Sequence, residues 1–277
     1  MPPYVYVPIQ SFDSVITAFE AAKAAKNQSF DEYVPRQKDY LINISGDDGF
    51  KITDIEQGGE TGDCWLLACL AGVAHTNPQF LQNHIIPLPY GKGWIVTIYD
   101  EYLKPHEVEV NQLDLEVLKP NFPFPELSKG DLWVNIYEMA FQKIYYANNI
   151  NNNPSTPEGF NWNIHGGSAA SALQSITGKQ VTDWEISDYL KVANTGNYIG
   201  IANNSQDFFS SSGFKVVGGH SYTILSFDKI AKTITLNNPW GYNKNKEGIN
   251  SASGELTLSL KEFNKYFSDV CVSETPS

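Results

Sequence analysis

The hydrophobic positions in the first half of the chain fall mainly into helical patterns. WLLACLAGVA, which follows Cys64, is apolar around its whole circumference, so a central buried helix is expected there. DLWVNIYEMAFQKIYYA, residues 131–147, follows a proline-rich stretch and predicts a second long helix. Ahead of both, the alanine-rich segment 14–26 has apolar residues at helical spacing and predicts a lead-in helix. Two short runs with strand character, WIVTIYD and HEVEV, lie between the two long helices.

The second half of the chain is dominated by alternating apolar and polar positions, which are typical of strands with one buried face. This pattern occurs in NYIGIA, HSYTILSF, KTITLNN, GELTLSL and DVCVS. Helical segments accompany the strands at GSAASALQSI, WEISDYLKVA and EFNKYF. A helix-rich first half followed by a strand-rich second half predicts an α+β protein with two lobes.

The asparagine-rich run NNINNNPSTPEG, residues 148–159, is the best candidate for the boundary between the lobes, because it combines low apolar content with prolines and a glycine. The 277 residues exceed the usual size of a single domain, which also favours two closely packed lobes. We therefore expect an N-terminal extension over residues 1–40, a first lobe over 41–157 and a second lobe over 158–277.

The charge balance narrows the class of partner. The chain has 19 lysines and arginines against 31 aspartates and glutamates, a formal net charge of -12. This balance argues against a nucleic-acid surface and against attraction to anionic lipid, so the expected partners are proteins, peptides or small molecules, and the chain is expected to be a monomer. No apolar run is long enough to predict membrane insertion. Because no basic and apolar leader opens the sequence, a cytoplasmic location is expected, or a secreted one if a leader was removed.

Cys64 is the candidate nucleophile. The glycine-rich stretch QGGETGDC ends at Cys64, and Asp63 is of a type that favours the N-cap, so Cys64 falls in the first turn of the apolar helix. The positive end of a helix favours thiolate over thiol, and the thiolate is the species that attacks a carbonyl. Many free cysteines are simply buried, and this interpretation is preferred for Cys69 and Cys271. An odd number of cysteines leaves at least one thiol free.

His220 is the candidate general base and acid. It begins an apolar strand directly after a glycine pair, in GGHSYTIL, where small residues leave room for a substrate backbone. His75 and His84 lie on or just beyond the cysteine helix, where they are expected to point away from its N-terminus. His106 sits between charged neighbours. The alternative base is His165, which precedes another glycine pair.

Asn238 is expected to orient the histidine. In LNNPWG the strand breaks before a proline, eighteen positions after His220, and the asparagine carbonyl can accept the second N–H of the imidazole. Trp240 can cover that hydrogen bond and keep water from it. The alternative for this motif is a plain turn with a packed tryptophan.

Gln57 is the candidate oxyanion donor. A side-chain amide upstream of the nucleophile, together with the Cys64 backbone N–H, can stabilise the negative charge that develops on a carbonyl oxygen. The alternative is an ordinary glutamine in a surface loop.

These segments together resemble the protease core of the calpain family. The motifs TDIEQG, GDCWLLA, LWVNIYEMAFQK, EGF, GGHSY, NPWG and GELTLSLKEF occur in the order and with the character of that family, from about Thr53 to the C-terminus. The resemblance implies a papain-like fold, with Cys64 on a helix-rich lobe and His220 and Asn238 on a strand-rich lobe across a cleft. It also implies that these three residues form a catalytic triad.

The same resemblance implies roles for residues around the triad. Gly62, Gly219 and Trp240 are expected to contribute to substrate binding, with Gly219 in the wall of the cleft. Trp240 is expected to shield the triad, and Gln57 is expected to contribute to the oxyanion hole.

Calpain cores also bind calcium, and the resemblance extends to some of the ligands. Asp54 and Asp131 match positions that serve the site of the first lobe, and their hard oxygen atoms suit Ca²⁺. In the second lobe Glu255 matches, whereas Ser253 and Lys244 stand where acidic residues are expected. Calcium is therefore expected in the first lobe rather than the second, and ordinary surface acids are the alternative.

The implied activity is hydrolysis of peptide bonds in proteins through a thioester acyl-enzyme. The loop from Gln57 to Cys64 is one residue longer than is usual in the family, which affects the geometry of Gln57 toward the oxyanion. Asn153–Pro154 stand where the family has a glycine pair that lines the cleft, so a different substrate preference is expected. No penta-EF-hand or C2-like module follows the core, which favours a compact stand-alone enzyme. Acyl transfer or glutamine deamidation on the same framework, and a non-catalytic binding module, are the alternatives.

Overall fold

A computed structural model describes residues 44–45, 49–58, 62–111, 114–115, 129–149 and 166–277. The α-helices of these segments are α1 (Cys64–Thr76), α2 (Pro78–Asn83), α3 (Leu132–Asn149), α4 (Ala169–Thr177), α5 (Ile186–Tyr189) and α6 (Leu260–Tyr266). The strands are β1 (Ile85–Pro87), β2 (Trp94–Tyr99), β3 (Pro105–Val110), β4 (Val181–Trp184), β5 (Tyr198–Asn204), β6 (Phe208–Phe209), β7 (Lys215–Val216), β8 (His220–Asp228), β9 (Thr233–Asn237), β10 (Glu255–Ser259) and β11 (Phe267–Glu274). Short 3₁₀ helices lie at Ile52–Asp54 and Pro89–Gly91.

Helix α1 is the buried centre of the structure, as its apolar sequence predicts. Its residues from Cys64 to Ala74 are all buried. A helix that is apolar on every side can be stable only if neighbouring elements cover all of its faces. Strands β5 and β8, helices α2, α3 and α4 and the first 3₁₀ helix supply that cover. Asp63 occupies the N-cap position, although its side chain makes no capping hydrogen bond to the helix.

The strands form antiparallel sheets. The largest has six strands in the order β10-β9-β8-β5-β11-β4, and a three-stranded sheet has the order β1-β2-β3. Strands β6 and β7 pair as a separate hairpin. Helices packed on antiparallel sheets confirm the predicted α+β class.

Hydrogen bonds fix helix α1 to the sheet that carries His220. The Thr223 hydroxyl on β8 donates to the carbonyl oxygen of Ala68 at 2.6 Å, inside the core. Near the other end of the helix, His75 Nε2 lies 3.2 Å from the carbonyl oxygen of Leu225. These contacts hold the helix that begins with Cys64 against the strand that begins with His220.

Some predicted elements differ from the structure or lie outside its described residues. The predicted helix WEISDYLKVA forms only the short α5, and Trp184 belongs instead to β4. That strand forms because its backbone pairs with β11, with Val270 opposite Trp184, a long-range contact that the local helical pattern does not contain. The lead-in helix over 14–26 and the lobe boundary at residue 157 lie outside the described residues. Within the described segments, none of the helices is both long enough and apolar enough to cross a membrane.

Candidate active site

Cys64 is the first residue of α1 and lies at the base of a groove. Its side chain is largely enclosed, with 9% of the residue exposed. Burial raises the pKa of the thiol, the backbone N–H of Ser221 opposes that effect, and the negative charge of Asp63 adds to it. The thiol is therefore protonated at neutral pH, which differs from the thiolate that a helix N-terminus alone favours.

His220 is the first residue of β8 and is 6% exposed. Its Nε2 lies 2.8 Å from Asn238 Oδ1. Because an amide oxygen only accepts, Nε2 carries the proton and Nδ1 is left with a lone pair that can accept one. Burial lowers the pKa of His220 to about 4, although the bond to Asn238 opposes the shift. The imidazole is therefore neutral at neutral pH.

Strand pairing explains why residues eighteen positions apart meet. Strands β8 and β9 are antiparallel neighbours, with Thr223 opposite Asn237. The start of β8 therefore lies beside the end of β9, and Asn238 directly follows that end. His220 and Asn238 are brought together by the hairpin itself.

The Asn238 amide is held in one orientation. Its Nδ2 donates to the carbonyl oxygen of Tyr242 at 3.0 Å and to Asn243 Oδ1 at 3.3 Å. Its Oδ1 accepts from the Trp240 backbone N–H at 3.1 Å as well as from His220. Asn238 is 1% exposed, so these bonds satisfy an amide that is almost completely withdrawn from water.

Aromatic rings enclose the imidazole. The ring of Trp240 lies 5.0 Å from that of His220, centroid to centroid, and the ring of Tyr222 lies at the same distance at an angle of 84°. Trp240 lies beside both His220 and Asn238, and its shielding of the bond between them stays a prediction. The rings also restrict the imidazole to a small range of orientations.

Cys64 and His220 line one groove of about 670 Å³. Gly62 and Gly219 line it too, whereas Trp240 is not among its described lining residues, and substrate binding by these three residues stays a prediction. No hydrogen bond joins the thiol to the imidazole in the described part of the chain, so proton transfer between them requires a closer approach. The catalytic roles of these residues stay predictions, and what the structure provides is their common position.

The groove also contains a pair of residues that the sequence analysis did not assign to the site. Gly166 and Gly167 form the wall beside Trp65, and the Gly166 N–H donates to the Gly62 carbonyl oxygen at 2.7 Å. The signal that could have identified them is the glycine pair directly before the N-cap of α4, Ser168. Because Gly167 has no side chain, its backbone can lie this close to the buried indole of Trp65.

Comparison with known proteins assigns the family. A model described as calpain family cysteine protease matches residues 35–253. The chain belongs to the calpain family of cysteine proteases. Calpain-9 of Mus musculus is 25% identical over 211 residues, which cover 68% of this chain and 28% of that protein. Calpain-13 of Rattus norvegicus is 26% identical over 255 residues, which cover 78% of this chain and 36% of that protein.

The calpain-1 catalytic subunit of Homo sapiens is 24% identical over 269 residues, which cover 81% of this chain and 35% of that protein. The chain thus spans about a third of the length of these calpains. The calpain protease core and its papain-like α+β fold are therefore assigned to this chain, as the sequence predicts.

Gln57 lies beside the segment that carries Asn238 but not in the described lining of the groove. Its backbone N–H donates to the carbonyl oxygen of Pro239 at 2.8 Å, next to Asn238. This bond joins the loop before Cys64 to the turn that carries Trp240. The part of this loop that lies outside the described residues is 59–61, so the contribution of Gln57 to an oxyanion hole stays a prediction.

The predicted calcium ligands are only partly brought together. The Asp131 N–H donates to the Asp54 carbonyl oxygen at 3.0 Å, so the two residues are neighbours. Asp54 Oδ2, however, already accepts from the Trp133 indole at 2.9 Å and from the Lys51 N–H at 2.7 Å. Within the described residues no three acidic, histidine or cysteine side chains form a metal-binding group. These side chains alone do not fit the ligand set that Ca²⁺ requires.

Glu255, the weaker calcium candidate, is exposed at the start of β10. Its carbonyl oxygen accepts from Asn243 Nδ2 at 2.9 Å. The Lys244 ammonium lies 6.0 Å from the Tyr242 ring, so a cation occupies the position where the family has an acid. The described residues around Glu255 therefore offer Ca²⁺ no acidic cluster.

The remaining described histidines and cysteines have other partners. His84 Nδ1 lies 2.8 Å from the Phe80 carbonyl oxygen, and His106 Nε2 lies 2.9 Å from Asp100 Oδ2. Cys69 is fully buried in α1 and Cys271 is buried in β11. The alternative base, His165, lies outside the described residues.

Gly167→Ala is expected to destabilise the protein and lower its activity. A Cβ at this position would lie 2.4 Å from the indole of Trp65, which is buried and packed edge-on against Phe141. Overpacking of this kind costs about 3 kcal/mol, and displacement of the indole would move the neighbouring Cys64. Urea unfolding measures the loss. The control is Gly166→Ala, where nothing lies within 4 Å and only the positive φ of 83° adds strain, and equal losses in the two variants would contradict the explanation.

Proposed function

We propose that this chain is a cysteine endopeptidase that uses Cys64, His220 and Asn238 as a catalytic triad and forms a thioester acyl-enzyme. The observation that carries the proposal is His220, whose ring is oriented by Asn238 at 2.8 Å and which lines the same groove as a cysteine at the N-terminus of a buried helix. Membership of the calpain family supports the same chemistry.

The first step is transfer of the Cys64 proton to His220. Because Nε2 holds the proton that is donated to Asn238, Nδ1 is the atom that accepts the proton from sulfur. The thiolate then attacks the carbonyl carbon of the scissile peptide bond, and the carbonyl oxygen becomes an oxyanion. The imidazolium formed in this step is stabilised by the Asn238 carbonyl oxygen.

The oxyanion is held at the N-terminus of α1. The backbone N–H of Cys64 has no partner inside the helix, because the first N–H groups of a helix precede its hydrogen-bond ladder. This N–H and the Gln57 side-chain amide are the proposed donors. Both donors would stabilise the negative charge that forms on the carbonyl oxygen only when the thiolate attacks. They would therefore bind the transition state more strongly than the substrate, which lowers the barrier.

Collapse of the tetrahedral intermediate breaks the C–N bond. His220 returns the proton from Nδ1 to the leaving amine, and a thioester between Cys64 and the acyl half of the substrate remains. A water molecule then gives a proton to Nδ1 and attacks the thioester carbon. The bond between carbon and the Cys64 sulfur then breaks and the carboxylic acid product leaves. The proton held on Nδ1 returns to the sulfur and restores the thiol.

An internally quenched peptide distinguishes this proposal from its alternatives. We expect the native chain to release two shorter peptides, because the groove is open to solvent and leads past Cys64. Mass spectrometry identifies the products, and a coupled assay measures ammonia. Ammonia release from an uncut glutamine-containing peptide would indicate deamidation instead, and neither product would indicate a binding module.

The same assay tests calcium dependence, which stays a prediction. No step of the mechanism above uses a metal. If calcium binds at the first lobe, the rate in calcium should exceed the rate with a chelator, and Asp54→Asn should require more calcium than Asp228→Asn, an exposed control on β8. Equal rates with calcium and with a chelator would show that the chain does not depend on calcium.

A further inference from the structure

The groove extends well beyond the candidate triad. Past Cys64 and His220 it is lined by the end of β5 with the following residue, 203–205, and by the junction of α6 and β11, 264–268. We call these two segments the outer wall. Most of its side chains are polar: Asn203, Asn204, Ser205, Asn264, Lys265 and Ser268. A substrate side chain that enters this part of the groove therefore meets hydrogen-bonding groups rather than an apolar pocket.

Lys265 supplies the one positive charge among the described residues of the groove, and none of them is an aspartate or glutamate. The two titratable groups near the reaction centre are neutral at neutral pH, because burial raises the pKa of Cys64 and lowers that of His220 to about 4. The groove therefore carries a local positive charge on a chain whose formal net charge is -12.

The Lys265 ammonium is exposed and is not neutralised by a described carboxylate. Its Nζ donates to the Tyr266 hydroxyl at 3.0 Å and lies 4.6 Å from the centroid of that ring. No ion pair joins it to an aspartate or glutamate in the described segments. The charge is thus available to a ligand in the groove.

The nearest acids in sequence accept hydrogen bonds from serines and form no described ion pair with Lys265. The Glu262 carboxylate accepts from the Ser259 hydroxyl at 2.6 Å and from the Ser211 backbone N–H at 2.6 Å. Asp269 Oδ2 accepts from the Ser268 hydroxyl at 2.8 Å. Neither acid lines the groove.

The backbone that carries Lys265 is firmly held. The Tyr266 ring stacks on Phe208 at 3.7 Å with an angle of 10°, and Phe263 stacks on Phe267 at 4.5 Å. A capping box between Ser259 and Glu262 closes the first turn of α6. The backbone position of Lys265 is therefore set by packing before any ligand binds, and the hydrogen bond to Tyr266 directs its ammonium.

We propose that Lys265 is a specificity-determining residue that selects peptide substrates with an acidic side chain. The ammonium binds the carboxylate of an aspartate or glutamate of the substrate, and the exposed amide of Asn264, which lines the groove beside it, can donate a second hydrogen bond to the same carboxylate. This inference rests on the proposed function, because it names the substrate class of the same groove.

The experiment uses quenched peptides of alanine-rich sequence in which one residue is glutamate, glutamine or lysine and is moved along the peptide one position at a time. At one position kcat/KM should follow the order glutamate, glutamine, lysine, with about a fivefold difference between glutamate and lysine, the size expected of a partly exposed charge pair. Lys265→Glu should reverse the order, and Lys265→Gln should remove it. High salt should weaken the preference of the native chain.

The control is Lys261→Glu, which makes the same charge change on the same helix but outside the groove and should keep the native preference. A native chain that cleaves all peptides equally, or a preference for glutamate that survives in Lys265→Glu, would overturn the inference. If Lys265→Glu fails to fold, Lys265→Gln is used instead, and a preference for glutamate that survives in Lys265→Gln would overturn the inference in the same way.

Binding to Cys64→Ala separates this inference from the proposed activity. Fluorescence anisotropy of the same peptides should show tighter binding of the glutamate peptide, and the preference should disappear when Lys265→Gln is added. If the native chain cleaves nothing while this binding preference is present, the activity is wrong and the selection of acidic peptides stands. If cleavage occurs without any charge preference in rate or binding, the selection is wrong and the activity stands.

Discussion

Cys64→Ala is expected to reduce peptide hydrolysis to the uncatalysed background, a loss of about 10⁶-fold in kcat if the triad acts as a unit. His220→Ala should cost nearly as much, because burial raises the pKa of the Cys64 thiol and the thiol then has no neighbouring base to accept its proton. The rates are measured with a quenched peptide under substrate saturation, and circular dichroism shows that each variant is folded.

Asn238→Ala should retain more activity than either of these variants. His220 Nδ1 remains able to accept a proton, and what is lost is the bond that orients the ring and stabilises the imidazolium.

The control for Cys64→Ala is Cys271→Ser, in which a hydroxyl can replace the buried thiol that donates to Asp183. Native rates in Cys64→Ala, or a loss in Cys271→Ser as large as in Cys64→Ala, would refute the assignment of the nucleophile.

Labelling of the native chain by a peptidyl epoxide should occur at Cys64 alone among the three cysteines. All three are free thiols, but burial raises the pKa of Cys69 well above its usual value and that of Cys271 to about 12. Only Cys64 also lines the groove. A peptide map of the labelled protein therefore reports on the same assignment as the variants.

The parts of the site that could be predicted from sequence depend on local patterns. Helix α1 is apolar on all sides, so both its burial and the position of Cys64 at its start could be read from a short segment. His220 and Asn238 occupy the outer ends of a hairpin, and antiparallel pairing makes those ends adjacent whatever the rest of the fold does. The fold class likewise depends on periodicities within single elements.

The features that could not be predicted depend on contacts between distant segments. A helix N-terminus lowers the pKa of a thiol. Burial and the negative charge of Asp63 both raise the pKa of Cys64, and the net shift is upward. Gly167 enters the site because its backbone lies against Trp65, about a hundred positions earlier in the chain, and Gly166 enters it through its hydrogen bond to Gly62. Strand β4 exists because β11 pairs with it. None of these contacts leaves a periodic signal in its own segment.

The structure therefore holds the reacting pair in its neutral form. Burial opposes the charged state of both partners, since it raises the pKa of the Cys64 thiol and lowers that of the His220 imidazole. In the proposed mechanism, the thiolate and the imidazolium are then formed only when the two groups approach each other in the occupied groove. A resting state of this kind should be stable at neutral pH and should lose stability when the imidazole is protonated by acid.

Because of His220 alone, the free energy of unfolding is expected to fall by about 3 kcal/mol between pH 6.5 and 4. This amount corresponds to a pKa of 6.5 in the unfolded chain and of about 4 in the folded chain. In this interval the unfolded chain binds a proton on His220 that the folded chain does not bind, so acid favours unfolding. Above about pH 6.5 neither state is protonated, and the full stability is present.

His220→Gln isolates this contribution, because it removes the titrating group while retaining a side-chain amide that can donate to Asn238. The difference between native and variant unfolding free energies, measured by urea titration at each pH, should change in favour of the variant as the pH falls from about 6.5 to 4 and should become constant below that. The other described histidine whose pKa is lowered by burial, His84, is present in both proteins and cancels in the difference. A difference that stays constant from neutral pH to pH 4 would contradict this prediction, because it would show that folding does not lower the pKa of His220. A difference that changes in favour of the native chain as the pH falls would show that folding raises this pKa, as an ion pair with Cys64 requires.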